Sequence, residues 1–135
     1  TATTKGTCRK IDGVTCAGAA TTYSRSGNVL TLNLDRAYAT GETFDVTVTY
    51  HGVPTAAGYF GFQTVNGRQL IWSLSESYGA RTWWPCKDSP EDKPDSVDIH
   101  FTCPSALITI SNGSLETACD MRRATASVGM PRAAR

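Results

Sequence analysis

From Val29 onward the chain alternates. Leu30, Leu32 and Leu34 are separated by Thr31 and Asn33, and Phe44, Val46, Val48 and Tyr50 by Asp45, Thr47 and Thr49. Successive side chains of an extended chain point to opposite faces, so each run predicts a strand with one apolar and one wet face. A turn at Thr40-Gly41 lies between them, and the two runs read as an antiparallel pair. Residues 59–64 and 69–74 flank Asn66-Gly67, a dipeptide suited to the positive φ of a tight hairpin turn, and predict a second pair. Val97, Ile99 and Phe101 alternate with Asp98, His100 and Thr102. Pro104 breaks the run, and residues 107–110 predict a further strand before the turn at Asn112-Gly113. Shorter strands are expected at 7–11 and 20–24. No helical period occurs before residue 113. The fold class is therefore all-β, an antiparallel β-sandwich of two packed sheets.

Two stretches depart from this pattern. Residues 76–99 hold Arg81, Trp83, Trp84, Pro85 and Cys86, then a charged turn from Lys87 to Lys93. Pro85, Pro90 and Pro94 forbid a regular helix, while the tryptophans bring a large apolar surface, so this is an ordered but irregular loop. After Gly113, small Ala, Thr and Ser residues mix with Arg122, Arg123, Arg132 and Arg135 without period. Such a segment buries little, so 114–135 is expected to be a weakly ordered, Ala/Arg-rich tail, with at most a short helix at 115–126. The β domain is accordingly 1–113.

Composition narrows the chemistry. With 135 residues, 40% hydrophobic and 19% charged, the chain is sized and composed as one globular domain. A net charge of +1 offers no electrostatic case for nucleic acid or an anionic membrane. No apolar run is long enough to span a bilayer. The opening Thr1-Ala2-Thr3-Thr4-Lys5 lacks the apolar core of an export signal, which reads as removed or never present. Five cysteines, Cys8, Cys16, Cys86, Cys103 and Cys119, leave the compartment undecided. Spacing allows Cys8 with Cys16 and Cys86 with Cys103; buried thiols are the alternative.

Only two histidines, His51 and His100, are present, and neither belongs to an H-E-x-x-H pair, so no metal site is expected. Neither a G-x-S-x-G elbow nor an S-x-x-K motif occurs. Cys86 beside Lys87 is a weak nucleophile candidate without an adjacent base. The carboxylates Asp88, Glu91, Asp92, Asp95 and Asp98 interleave with Lys87 and Lys93, as on a solvated turn. Asn112-Gly113-Ser114 matches a glycosylation sequon but reads as a turn. No catalytic residue emerges.

Glu76, Ala80-Arg81, Trp83-Trp84-Pro85-Cys86, Asp88, Pro90 and Lys93 form a spaced pattern. With Gly41-Glu42, Gly52, Asp98-Ile99, Pro104 and Ser111-Asn112-Gly113, it resembles the N-terminal β domain of the zinc metallopeptidases related to aminopeptidase N and leukotriene hydrolase. The likeness spans residues 28–113. It implies a saddle-like β-sandwich, here lacking the first strands and departing after Gly113, as though truncated. It also implies that zinc and catalysis belong to a separate domain, because the zinc helix and the Gly-x-Met-Glu-Asn motif are missing; Gly129-Met130 runs into Pro131. In the family, the acidic or amide residue before Ala-Arg holds the substrate's free α-amine, a role that falls here to Glu76. A loop carboxylate paired with Arg81 is the structural alternative. Arg81, Trp83, Trp84, Pro85, Cys86 and Asp88 then form the supporting loop. Leu74 stands where relatives often carry a second Gln.

The expected function is that of a non-catalytic N-terminal domain or fragment of a zinc aminopeptidase, working with the catalytic domain on a peptide N-terminus. Two alternatives remain open. One is a stand-alone binding or assembly module with Trp72, Trp83 and Trp84 exposed, or pairing into a homo-oligomer through strand edges. The other, weaker, is a small esterase-like hydrolase using Cys86 or a serine.

Overall fold

A computed structural model describes residues 2–5, 10–54, 59–87, 89, 94, 96–104, 106–119 and 123–129; of these, the side chains of 2–5, 115–119 and 123–129 are outside the description. The chain divides into two compact units, residues 1–92 and 93–135.

In the first unit Leu30 and Leu32 are buried as their period requires, and Leu34 is half-buried. Strands β1 (Ala2–Lys5), β4 (Tyr23–Ser26) and β5 (Val29–Leu32) form one antiparallel sheet in the order β1-β5-β4. A second sheet orders β3 (Ala19–Ala20), β2 (Lys10–Cys16) and β6 (Val46–His51) as β3-β2-β6. Leu30 and Leu32 from the first sheet and Val14 from the second make the buried cluster, with Ile11, Val46 and Val48 packed against it. Each fully buried aliphatic side chain contributes roughly 1.5–3 kcal/mol, so this two-sheet contact is the main apolar support of the unit. The expected sandwich is present.

The expected pairing of residues 29–34 with 44–50 is not. Both edges of β5 are occupied, by β1 and by β4, and β6 pairs with β2. The reason is local. Gly27-Asn28 closes a two-residue turn between β4 and β5, with Gly27 at φ 58°, so the nearest partner of β5 precedes it in sequence. The two alternating runs face each other through the core instead of sharing a ladder. Ala17 and Gly18, at φ 49° and 80°, make another tight turn between β2 and β3.

The third sheet of this unit is the expected hairpin of β7 (Phe60–Val65) and β8 (Arg68–Ser73). Asn66 and Gly67, at φ 51° and 76°, form the turn with two left-handed residues that matches strand twist.

The second unit holds β9 (Asp98–Pro104), β10 (Ser114–Cys119) and β11 (Arg123–Gly129), ordered β10-β11-β9. Where a weakly ordered tail with a short helix was expected, the backbone is a hairpin added to β9, in register from Arg123↔Pro104 to Gly129↔Asp98. The edge of β9 supplies the hydrogen bonds, and Thr117, Thr125 and Val128 are β-branched residues that tolerate extended backbone. Conversely, residues 107–110 do not form a strand. The Leu107 N–H turns back to the Pro104 carbonyl at 2.9 Å, and Ile108 and Ile110 are exposed.

Candidate functional site

The sequence places its candidate carboxylate immediately beyond β8. The ladder of the β7–β8 hairpin continues one step past the strands, with the Leu74 N–H donating to the Tyr59 carbonyl at 2.8 Å. The chain then folds on itself. The Gly79 N–H reaches the Ser75 carbonyl at 3.0 Å, and residues Ala80–Thr82 form a single 3-10 turn. Glu76 is exposed within this fold-back.

Several contacts hold the backbone around Glu76. Gly79 is buried, and a β-carbon there would meet Tyr59 Cε1 and the Leu74 carbonyl oxygen, each at 2.7 Å. Ala80 is buried beside it. The Trp83 indole N–H donates to Ser75 Oγ at 3.3 Å, one residue from Glu76. Trp83 also stacks obliquely on Phe60, with centroids 5.6 Å apart, and on Trp84 at 6.0 Å; Phe60 continues the series to Phe62 at 5.3 Å. Tilted pairs at such separations are favourable beyond the area they bury. Two rigid anchors, Tyr59 over Gly79 and Trp83 on Phe60, thus fix the base of the loop to the base of the hairpin.

Arg81 donates from Nε to the Tyr78 carbonyl at 3.3 Å and lies 5.4 Å from the centre of the Tyr78 ring. The ion pairs Arg36–Glu42 and Asp12–His51 do not involve Glu76. Pro85 and Cys86 follow half-buried, while Asp88 lies outside the described residues, as do Pro90, Glu91, Asp92, Lys93 and Asp95 of the charged turn. An exposed patch of three tryptophans does not form. Trp72 lies over Gly61, its cross-strand partner, whose β-carbon would come within 2.5 Å of the indole nitrogen, and Trp83 is half-buried between Phe60 and Trp84. Among the described tryptophans only Trp84 is exposed. The roles of Tyr59, Phe60, Ser75 and Gly79 were not read from sequence. Phe60 and Phe62, on one face of an aromatic strand, were the available signal.

A second polar cluster sits between β5 and β6. Asp35 accepts hydrogen bonds from the Tyr38 hydroxyl at 2.7 Å and from the buried Cys16 thiol at 3.3 Å. These donors, Tyr38 first, hold the Asp35 carboxyl below the usual carboxylate range, and the same carboxylate pushes the Tyr38 hydroxyl up to about 12. Arg36 forks onto both Glu42 oxygens at 3.0 Å and lies 4.0 Å from the centre of the Tyr38 ring, which stacks on Phe44 at 4.7 Å. The guanidinium, then the Ala39 N–H, lower the Glu42 carboxyl. The Glu42 N–H closes the expected turn on the Ala39 carbonyl at 3.1 Å. Every polar group named in this cluster is matched to a partner within it, as in a loop clamp.

Cys16 is a thiol donor here, and Cys86 and Cys103 are thiols as well, so those two do not pair; Cys8, the other candidate partner, lies outside the described residues. His51 Nδ1 meets Asp12 Oδ2 at 2.8 Å across the bulge between β2 and β6. No three His, Cys, Asp or Glu side chains converge as a metal site among the described residues. The donor set that zinc requires is not assembled there.

Among solved structures, the chain is similar to the M1 zinc metallopeptidase from Deinococcus radiodurans, at 23% identity and a TM-score of 0.80 over 95% of this chain. A point-substituted form of that enzyme, bound to a Tyr-Ser-Ala substrate, aligns with a TM-score of 0.79 over 94% of this chain, also at 23% identity. A two domain M1 zinc metallopeptidase variant bound to L-arginine aligns over 96% of this chain at 23% identity, with a TM-score of 0.81. The chain spans 30–31% of the length of these proteins. No curated protein matches significantly. The family profile of the Peptidase M1 N-terminal domain matches residues 9–125, and the chain belongs to that family.

Proposed function

We propose that this domain serves a zinc aminopeptidase by presenting Glu76 to the α-ammonium of a peptide N-terminus. The observation that carries the reading is the contrast between Glu76 and its setting: an exposed carboxylate on a loop whose base is locked by Tyr59 over Gly79 and by Trp83 on Phe60 and Ser75. A carboxylate suits an ammonium because its oxygens accept charge-assisted hydrogen bonds, which are stronger than neutral ones. A rigid base keeps the carboxylate from losing much orientational freedom when the ligand arrives. The supporting loop of Arg81, Trp83, Trp84, Pro85 and Cys86 positions Glu76 and has no contact with substrate of its own.

The metal chemistry belongs, on this reading, to the peptidase domain and not to the side chains described above. The test is Glu76→Gln in a polypeptide carrying this domain with its peptidase domain, assayed on an aminoacyl arylamide and on its deaminated analogue. Losing a charged hydrogen bond is worth about 1.5–3 kcal/mol, so kcat/KM for the amine-bearing substrate should fall roughly 10- to 150-fold by RT arithmetic. The analogue should be nearly indifferent. Equal kcat/KM for wild type and Glu76→Gln on the amine-bearing substrate would overturn the proposal.

A further inference from the structure

The dipeptide Asn-Gly occurs twice, at Asn66-Gly67 and at Asn112-Gly113. It is chemically distinctive, because glycine has no side chain to shield its backbone nitrogen from the preceding carboxamide. Both asparagines are exposed, so access to water does not separate them. Their backbones do. Asn66 is held at φ 51° and Gly67 at φ 76° in the tight turn of the β7–β8 hairpin, with Val65 paired to Arg68 and Thr64 to Gln69 behind it. Asn112 stands outside the left-handed region, and residues 107–111 before it belong to no strand. Only the far side is fixed, by Ser114 opposite Gly129. Closing a ring from an asparagine side chain onto the next nitrogen requires rotation about the Cα–C bond. At Asn66 that rotation works against a ladder on both sides, and the hairpin must open locally before it can occur. At Asn112 it meets a ladder on one side alone.

We propose that Asn112 is a self-modification site, converting to aspartate and isoaspartate, and that Asn66 in the same dipeptide is spared by its turn. The Gly113 nitrogen attacks Asn112 Cγ, forming the N–Cγ bond of a cyclic imide. The Cγ–Nδ2 bond breaks, and ammonia leaves with the proton that the Gly113 nitrogen gives up. Water then opens the imide at either carbonyl. Cleavage at Cγ leaves aspartate, and cleavage at the main-chain carbonyl carbon leaves isoaspartate. The net exchange is water for ammonia, so solvent is the only co-reactant. The place of the site gives the reaction a structural consequence. Ser114 pairs with Gly129 and Gly129 with Asp98, so the new carboxylate appears at the end of the β10-β11-β9 sheet that already carries Asp98. Isoaspartate also lengthens the main chain by one methylene next to the first ladder pair of β10. The turn is thereby a slow timer that loosens the start of that strand.

Ageing the native 135-residue chain in neutral buffer made with heavy-oxygen water, followed by peptide mapping, tests this without any variant. Trypsin releases residues 37–68 and 88–122 as separate peptides, each with a single asparagine. Digestion in ordinary water leaves any later conversion unlabelled. The 88–122 peptide should gain heavy oxygen roughly tenfold or more faster than the 37–68 peptide, a barrier difference of about 1.4 kcal/mol. In urea, where neither turn is held, the two rates should converge. Equal rates in the native chain, a faster 37–68 peptide, or no incorporation at Asn112 overturns the proposal. So does a difference that persists unchanged in urea, since flanking sequence and not the fold would then set it. Hydrogen exchange on the aged chain reads the consequence. The β10 amides should exchange faster in the converted fraction, and those of β7 and β8 should not change. Unaltered exchange in β10 overturns the coupling to the sheet.

Discussion

The ring of Tyr59 fills the space beside Gly79 that any side chain there would need, with Tyr59 Cε1 2.7 Å from an ideal β-carbon. The carbonyl of Leu74, equally near, is backbone and cannot swing aside as a side chain can. Gly79→Ala must therefore displace Tyr59 or the loop. Overpacking of this kind costs typically 1–3 kcal/mol, and about 2–3 kcal/mol is expected from the urea midpoint of the 135-residue chain. A loss below about 0.5 kcal/mol, the size of an ordinary surface substitution, would show that the loop is not seated on Tyr59.

Trp83 makes a different kind of anchor, through rings and one hydrogen bond. Trp83→Ala removes its contacts with Phe60 and Trp84 and the bond to Ser75. Core Trp→Ala changes cost 3–5 kcal/mol; for this half-buried ring about 2–3 kcal/mol is expected. Trp83→Phe keeps an aromatic ring but drops the N–H donor, and should cost only about 1 kcal/mol. Denaturant titration of both variants distinguishes ring packing from hydrogen bonding as the main support. Equal losses would assign the support to the Ser75 bond.

How far sequence reached is seen by comparing β8 with β11. The hairpin of β7 and β8 was legible because Asn66-Gly67 can adopt positive φ and aromatic residues flank it. The hairpin of β10 and β11 was not. Ala118, Ala124, Ala126 and Ser127 have no apolar period to betray a strand, and the strand exists because β9 offers an unpaired edge. That is a tertiary cause acting on a locally indifferent sequence. The same holds for β5, whose neighbours were set by Gly27-Asn28 and by a distant N-terminal strand. At the site, the pattern from Glu76 to Cys86 marked where the chain leaves the hairpin and folds back. Its fastening to Tyr59, Phe60 and Ser75 depends on where the fold-back brings together residues 8 to 23 apart, which spacing alone does not encode. The Asp35–Tyr38–Cys16 cluster escaped for a similar reason, since Cys16 and Asp35 meet only once β2 and β5 are stacked.

That cluster predicts a two-sided pH profile. The Asp35 and Glu42 carboxyls are lowered from 3.8 and 4.5. Their stabilising contribution is present above those ordinary values and is lost as pH falls through the lower, folded ones. Tyr38 is raised from 10.0 to about 12. Its contribution is present below 10 and is lost as pH rises from 10 through about 12, because the unfolded chain ionises first. Urea midpoints across pH 2–12 should therefore decline at both ends. Tyr38→Phe should flatten the alkaline decline, while Glu42→Gln should reduce the acid one. An unchanged alkaline slope in Tyr38→Phe would remove the Tyr38 hydroxyl as the cause.

The Asp12–His51 pair predicts almost nothing, and that is informative. Its side chains are 36% and 62% exposed. Exposed ion pairs contribute about 0–1 kcal/mol, so His51→Ala should shift stability by less than about 1 kcal/mol at pH 6 and at pH 8. A larger loss would mean that the pair pins the β2 bulge and is more than a surface contact. The same two midpoints decide between these outcomes.

Gly67 offers the control for Gly79. It sits at φ 76° with nothing within 4 Å of an added β-carbon, whereas Gly79 is crowded without a positive φ. Gly67→Ala therefore isolates backbone conformation from sterics. An L-residue held in the left-handed region costs roughly 1–2 kcal/mol, and Gly67→Asn should recover part of that because Asn tolerates the region. Gly79→Asn should recover nothing, since a larger side chain only deepens the collision with Tyr59. If the two asparagine variants behaved alike, the separate causes assigned to these glycines, torsion at the tip of the β7–β8 hairpin and crowding in the loop beyond its base, would both have to be given up.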